Sequence, residues 1–268
     1  MRKKMNSVKA TWDNGTHTIL HDRNSKLIIQ GEIFRKQYEH NIRSTVNTVK
    51  VLQDVTMMDF QSKIAMLFRS ELGLQRIGLP ISGQFEVNVK VETTRTIQDM
   101  PLIGVLKSVI DGLNGSIINE DRYVVSASIE YIKRGRSVTH LNDILSIELL
   151  KVRHTTKQSI LTCFNIPIYV VAKREALLLD SDDALLSFDE TDFVEAAAQG
   201  LIADGMTLNN SKELYMRFTG YIDDYDIDNM ALIYFDLLKA IGLNESNIHR
   251  ILLEKEQSKV QKVSLSLQ

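Results

Sequence analysis

Four aspartates fall within six positions in the stretch Asp223-Asp224-Tyr225-Asp226-Ile227-Asp228-Asn229. Asp226 and Asp228 are two apart, and in an extended segment residues at that spacing point to the same side. Two carboxylates so placed could share one hard cation, and oxygen ligands suit Mg²⁺ or Mn²⁺. A third carboxylate is needed, and Glu245, at the turn leading into the last expected strand, is the best placed. A divalent ion held by Asp226, Asp228 and Glu245 would activate water and stabilise a phosphodiester transition state. The same residue types also suit a helix N-terminus, where Asp and Asn cap free amides and acids meet the positive end of the dipole. One cap accounts for one residue, however, and not for four. A calcium loop of EF-hand type fails, because its sixth position would be Asn229 rather than Gly and its twelfth is Phe235 rather than Glu.

The elements that must position these acids occur as two series in the same order, and such internal repetition bears directly on fold. In the first half, residues 44–52 alternate like a strand. Residues 57–72 have helical character, with Phe60, Ile64, Leu67, Phe68 and Leu72 near one face. Residues 84–92 alternate again: Phe85, Val87, Val89 and Val91 face one way, Glu86, Asn88 and Lys90 the other. An apolar helix over about 101–113 and a strand over 122–132 complete the unit. The second half repeats this as a strand at 159–171, a helix at 190–204, a strand at 212–220, an apolar helix at about 228–241 and a strand at 247–256. Lys107-Ser-Val-Ile-Asp111 lies over Leu232-Ile-Tyr-Phe-Asp236 without a gap, and each apolar helix leads into an acidic turn, Asn119-Glu120-Asp121 and Asn244-Glu245. The expected organisation is an extension at 1–43, a first unit at 44–135, a linker at 136–158 and a second unit at 159–268. The extension holds Trp12, the only tryptophan, and no chemistry is assigned to it.

Composition sets bounds on this reading. Apolar residues make up 44% and charged residues 25% of the 268, as in ordinary globular domains. The single cysteine, Cys163, excludes an intrachain disulfide and fits a reducing compartment. The N-terminus lacks the apolar core of a signal peptide and no run is long enough to span a bilayer, so the expected location is the cytoplasm. Net charge is −2, so any surface that grips phosphates must be local. The densest basic run comprises Lys133, Arg134, Arg136, Lys151, Arg153, His154 and Lys157, which is either a DNA-contacting surface or a solvated linker. The six histidines have no zinc spacing, and Asp180-Ser-Asp182-Asp183 reads as a solvated acidic turn.

A strand, then Asp-x-Asp-Asn, then an apolar helix with an internal Asp, then an acidic turn and a strand resembles the RusA family of Holliday-junction resolvases. These are small Mg²⁺-dependent endonucleases, common in phages and prophages, that act as homodimers on four-way junctions. The resemblance covers about 44–133 and 159–257. Asp226, Asp228 and Asn229 match the family's Asp-x-Asp-Asn, Asp236 its helix aspartate, and Glu245 replaces the aspartate ligand of its acidic turn. Its lysine position holds Leu232 in the second half. In the first half Lys107 falls on that lysine position, Asp111 on the helix aspartate and Glu120-Asp121 on the acidic turn. The Asp-x-Asp-Asn positions there are Pro101, Ile103 and Gly104, so this half is not expected to bind metal as the family does.

The resemblance therefore implies an α+β fold of two tandem RusA-like β-α-β-α-β units forming a pseudo-dimer, with each half lacking a different part of one site. It implies an endonuclease for branched DNA that depends on Mg²⁺ or Mn²⁺, with Asp226, Asp228, Glu245 and Lys107 at its centre. Two coordinated cuts would need two chains, a homo-oligomer. The alternative is a non-catalytic protein, such as a phage-encoded inhibitor or a regulator, that reuses the duplicated fold to bind another protein or branched DNA.

Overall fold

The computed structural model describes residues 6–12, 15–22, 26–30, 55–94, 96–97, 101–135, 144–152, 159–167, 188–203, 205, 208, 211–220, 225–259 and 262–268. Its strands are β1 (Asn6–Trp12), β2 (Gly15–Asp22), β3 (Lys26–Gln30), β4 (Gln84–Thr93), β5 (Val124–Lys133), β6 (Ile144–Val152), β7 (Ser159–Pro167), β8 (Glu213–Gly220), β9 (Arg250–Gln257) and β10 (Lys262–Leu267). The helices are α1 (Val55–Leu74), α2 (Leu102–Leu113), α3 (Phe188–Ala203) and α4 (Ile227–Ala240). The fold is mixed α+β. One sheet runs in the order β1-β2-β3-β10-β8-β9-β5-β4-β6-β7, and six strands, β10 through β6 in that order, make up its centre.

Strict alternation decides which face of this sheet is covered. Phe85, Val87, Val89 and Val91 of β4 are buried while Glu86, Asn88 and Lys90 between them are only half-buried, as the sequence pattern predicts. Among the described residues, four helices form the covering layer. α2 and α4 pack on each other and across β5 and β9, with α1 against α2 and α3 against α4. α2 and α4 are apolar around most of their circumference because they sit between the sheet and the outer helices. On α1, Phe60, Ile64, Phe68 and Leu72 are buried and Leu67 packs against the same core. Close approach of α1 to α2 depends on Gly112: a Cβ there would lie 3.2 Å from the backbone of Gln61 and 3.3 Å from Ile64. Both central helices end in a glycine loop, with Gly115 at φ 66° and Gly242 at φ 101°, conformations that side chains with a Cβ resist.

The two halves follow the same path. In the first, α1, β4, α2, a 3₁₀ turn at Asp121–Tyr123 and β5 occur in order; in the second, α3, β8, α4, a 3₁₀ turn at Glu245–Asn247 and β9. β4 pairs parallel with β5, and β8 parallel with β9. β6 and β10 then add antiparallel to β4 and β8. The halves join where β5 and β9 run antiparallel, with Ser128 facing Leu252. Asp121 and Glu245 are separated in sequence by the same interval as Ser128 and Leu252. Each half's turn therefore stands at an equivalent distance from one local two-fold axis through that pair.

Several expected boundaries differ. Residues 144–152, placed in a linker, form β6, because Leu145, Ile147 and Leu149 alternate with Ser146 and Glu148 and fill the buried face. The strand expected to open the second half, β7, pairs with β6 at the far edge of the first half. β10 lies beyond the last strand expected; its Val263, Leu265 and Leu267 are buried, and it receives β3 of the N-terminal extension. The expected strand at 44–52 lies outside the described residues. No described helix is long and apolar enough to cross a membrane.

Candidate functional site

Asp226 occupies the N-cap position of α4, yet its side chain makes no capping hydrogen bond. The capping explanation for this acid is therefore set aside by the geometry. Its Oδ2 instead accepts from Asn229 Nδ2 at 3.2 Å. The Oδ1 of the same Asn229 accepts from Lys107 Nζ. Lys107 Nζ also lies 3.5 Å from Asp228 Oδ2 and 3.9 Å from Asp111 Oδ2 one turn along its own helix. The lysine of the first half thus reaches into the acidic motif of the second, because α2 and α4 pack directly against each other.

Asp228 is the extreme member of the cluster. It is 0% exposed, and its Oδ1 has no hydrogen-bond partner among the described residues. An ionised carboxylate in that position is costly unless cations compensate it. Lys107, whose side chain is 13% exposed, supplies one.

A third carboxylate does join Asp226 and Asp228, and it is Asp121 from the acidic turn of the first half. Burial first, then the charges of Asp226, Asp228 and Asp111, push the Asp121 carboxyl up to about 9, with Lys107 opposing. Burial and then Asp228 also raise Asp226, against the pull of Lys255, a hydrogen bond from Asp121, and Lys107. These shifts favour a proton on Asp121, shared by hydrogen bond with Asp226. Asn114 Nδ2 holds the other side of Asp121 by donating to Oδ2 at 2.7 Å.

Glu245, expected as the third ligand, is not brought to this cluster. Its carboxyl is raised by burial and by Asp236, and lowered by Lys239, which are the neighbours of the mirrored position. Lys239 Nζ sits 3.0 Å from Asp236 Oδ1. The local two-fold places Glu245 where Asp121 stands in the first half, so the two acids face opposite sites. The sequence pattern that accompanies this pairing is complementary: Lys107 and Asp121 lie in one half, Asp226 and Asp228 in the other.

Among the described residues, no three His, Cys, Asp or Glu side chains stand close enough together, as they are placed, to hold a metal ion. Of the basic run, Lys133 is exposed at the end of β5, and Arg134 is paired with Glu92 at 3.3 Å. Arg136, Arg153 and Lys157 lie outside the described residues, as do Asp223, Asp224 and the Asp180–Asp183 turn.

Fold and site together define a two-layer α+β protein with one carboxylate–lysine cluster assembled from both halves. The chain matches no protein-family model, no curated protein and no solved structure.

Proposed function

We propose that this chain is a divalent-metal-dependent endonuclease for branched DNA, built as a tandem, partly degenerate pair of RusA-like units with one working site. The observation that carries the reading is the convergence of Asp121 on Asp226 and Asp228 across the two halves, with a buried Asp228 oxygen that has no hydrogen-bond partner among the described residues. Mutually repelling carboxylates with an orphaned oxygen are a donor set suited to a hard cation such as Mg²⁺ or Mn²⁺. Asp121, Asp226 and Asp228 would hold it by closing on the ion from their metal-free placement, with loss of the Asp121 proton. When bound, such an ion would polarise water and a phosphoryl oxygen. Lys107 is held at Asp228 and Asn229, where a cation would stabilise charge developing on a phosphate.

The two-fold relation of the halves supports reading the chain as a covalent pseudo-dimer. The mirrored position has Pro101 and Ile103 in place of the aspartates and Lys239 pairing Asp236, so it contributes no second cut. One chain then nicks one strand, and paired incision of a junction requires two chains. The test is cleavage of a labelled four-way junction with Mg²⁺ or Mn²⁺. Nicking that disappears in Asp228→Asn supports the reading, and no cleavage at any metal concentration sinks it.

A second reading is favoured by the Lys107–Asp228 pair, which partly neutralises the cluster without metal. In it the chain binds a protein or a DNA junction without turnover. Stoichiometric complex formation, unchanged in Asp228→Asn, would select this reading.

A further inference from the structure

Lys255 is absent from every motif in the sequence, yet its ammonium joins the two segments that carry the clustered acids. It stands one residue beyond Glu254, the last β9 residue paired with β5, where the first half's acidic turn enters the sheet. Nζ donates to the carbonyl of Arg122, next to Asp121, at 2.6 Å. It also donates to the carbonyl of Tyr225, next to Asp226, at 2.6 Å. The same nitrogen lies 4.9 Å from the centroid of the Tyr225 ring. That ring is anchored in turn: Tyr225 is 1% exposed, its hydroxyl donates to the Phe218 carbonyl at 3.3 Å, and it packs edge-on against Phe218. Phe218 is the β8 residue opposite Lys255 in the sheet register, so the clamp and its anchor share one rung.

We propose that Lys255 is a positioning residue that fixes the separation between Asp121 and the Asp226–Asp228 pair, and through it the affinity of the site for a divalent cation. This inference rests on the metal-binding reading above. Two charge-assisted hydrogen bonds from one rigid strand to two different loops leave little freedom in the gap between those loops. Outer residues that hold ligands in place typically change metal affinity by about 10–100-fold when removed.

The sign of the effect separates positioning from simple electrostatics. Deleting a positive charge beside a cation site should strengthen cation binding if charge alone matters. Deleting a clamp should weaken it. The experiment compares the full chain with Lys255→Met in two measurements. Titration with Mn²⁺, followed by the paramagnetic resonance of the free ion, should show affinity reduced about tenfold or more. Hydrogen exchange without metal should accelerate in 119–126 and 225–230 together, while the mirrored turn at 244–248 keeps its protection. Unchanged or tighter Mn²⁺ binding overturns the proposal, and so does exchange that is unaltered or that rises evenly along the chain. Should the Met variant not fold, Lys255→Gln, whose amide can serve one carbonyl, is read by the same criteria with a smaller loss. A parent protein that binds no Mn²⁺ refutes the metal reading and the affinity claim with it, while the exchange measurement still decides whether Lys255 clamps the two loops.

Discussion

Replacing Asp121 with Asn should stabilise the metal-free protein and abolish its response to metal. The Asp121 carboxyl is raised from 3.8 to about 9 in the folded protein by burial and by Asp226, Asp228 and Asp111. The folded chain therefore keeps a proton that the unfolded chain releases above about pH 4. A raised carboxyl costs stability progressively as pH rises from its unfolded value towards its folded one. At pH 7 the gap of about three units amounts to a ceiling of ~4 kcal/mol at ~1.4 kcal/mol per unit. Asp121 is only partly buried, and screening by water brings the expected effect to ~1–2 kcal/mol. An Asn side chain can still accept from Asn114 and donate to Asp226, as the protonated acid does, without the cost of retaining a proton. For a chain of this size the gain corresponds to a rise in Tm of about 2–8 °C at pH 7 in EDTA. It should shrink to nothing near pH 4. Saturating Mn²⁺ at about one hundred times its Kd should stabilise the parent by ~2.7 kcal/mol and leave the variant unmoved. Thermal melts of both proteins from pH 4 to 9, with EDTA and with Mn²⁺, read every arm. A variant that melts no higher than the parent in EDTA at pH 7 would refute the electrostatic argument. A variant with an undiminished Mn²⁺ response would remove Asp121 from the site.

Lys107→Met leaves Asp228 buried beside no cation, and breaking such a pair costs about 3–5 kcal/mol. Denaturant unfolding should show that loss in EDTA, with much of it recovered on adding Mg²⁺. Glu245→Gln should leave the metal response intact, because Glu245 faces Asp236 and Lys239. Since burial raises the Glu245 carboxyl, this variant should also lose less stability than the parent as pH rises above about 4.5, which melts at stepped pH will detect. Gly112→Leu forces side-chain atoms into the Gln61 backbone of α1 and should destabilise by at least ~1–3 kcal/mol in urea unfolding.

Local periodicity determined much of the fold. β4 was legible because a half-buried strand must alternate, and α2 and α4 because a helix between a sheet and other helices must be apolar nearly all round. β6 and β10 carry the same alternation in Leu145, Ile147, Leu149 and in Val263, Leu265, Leu267. The first was hidden by the basic residues around it and the second lay past the expected end of the repeat. The sequence also contained every member of the carboxylate–lysine cluster, and showed that Lys107 and the Asp226–Asp228 pair lie in different halves. It did not determine which acid completes the set. Glu245 is close to Asp228 along the chain and Asp121 is distant, so proximity in sequence favours Glu245, whereas the acid that interacts electrostatically with Asp226 and Asp228 is Asp121. That choice is made by the antiparallel join of β5 and β9 and the packing of α2 on α4. Together they carry the first half's turn, with Asp121, to the start of α4 in the second, while Glu245 stays beside Asp236 and Lys239 of its own half. Lys255 belongs to the same class: a lone lysine in a strand carries no local signal, and its role exists only because two loops from different halves end beside it.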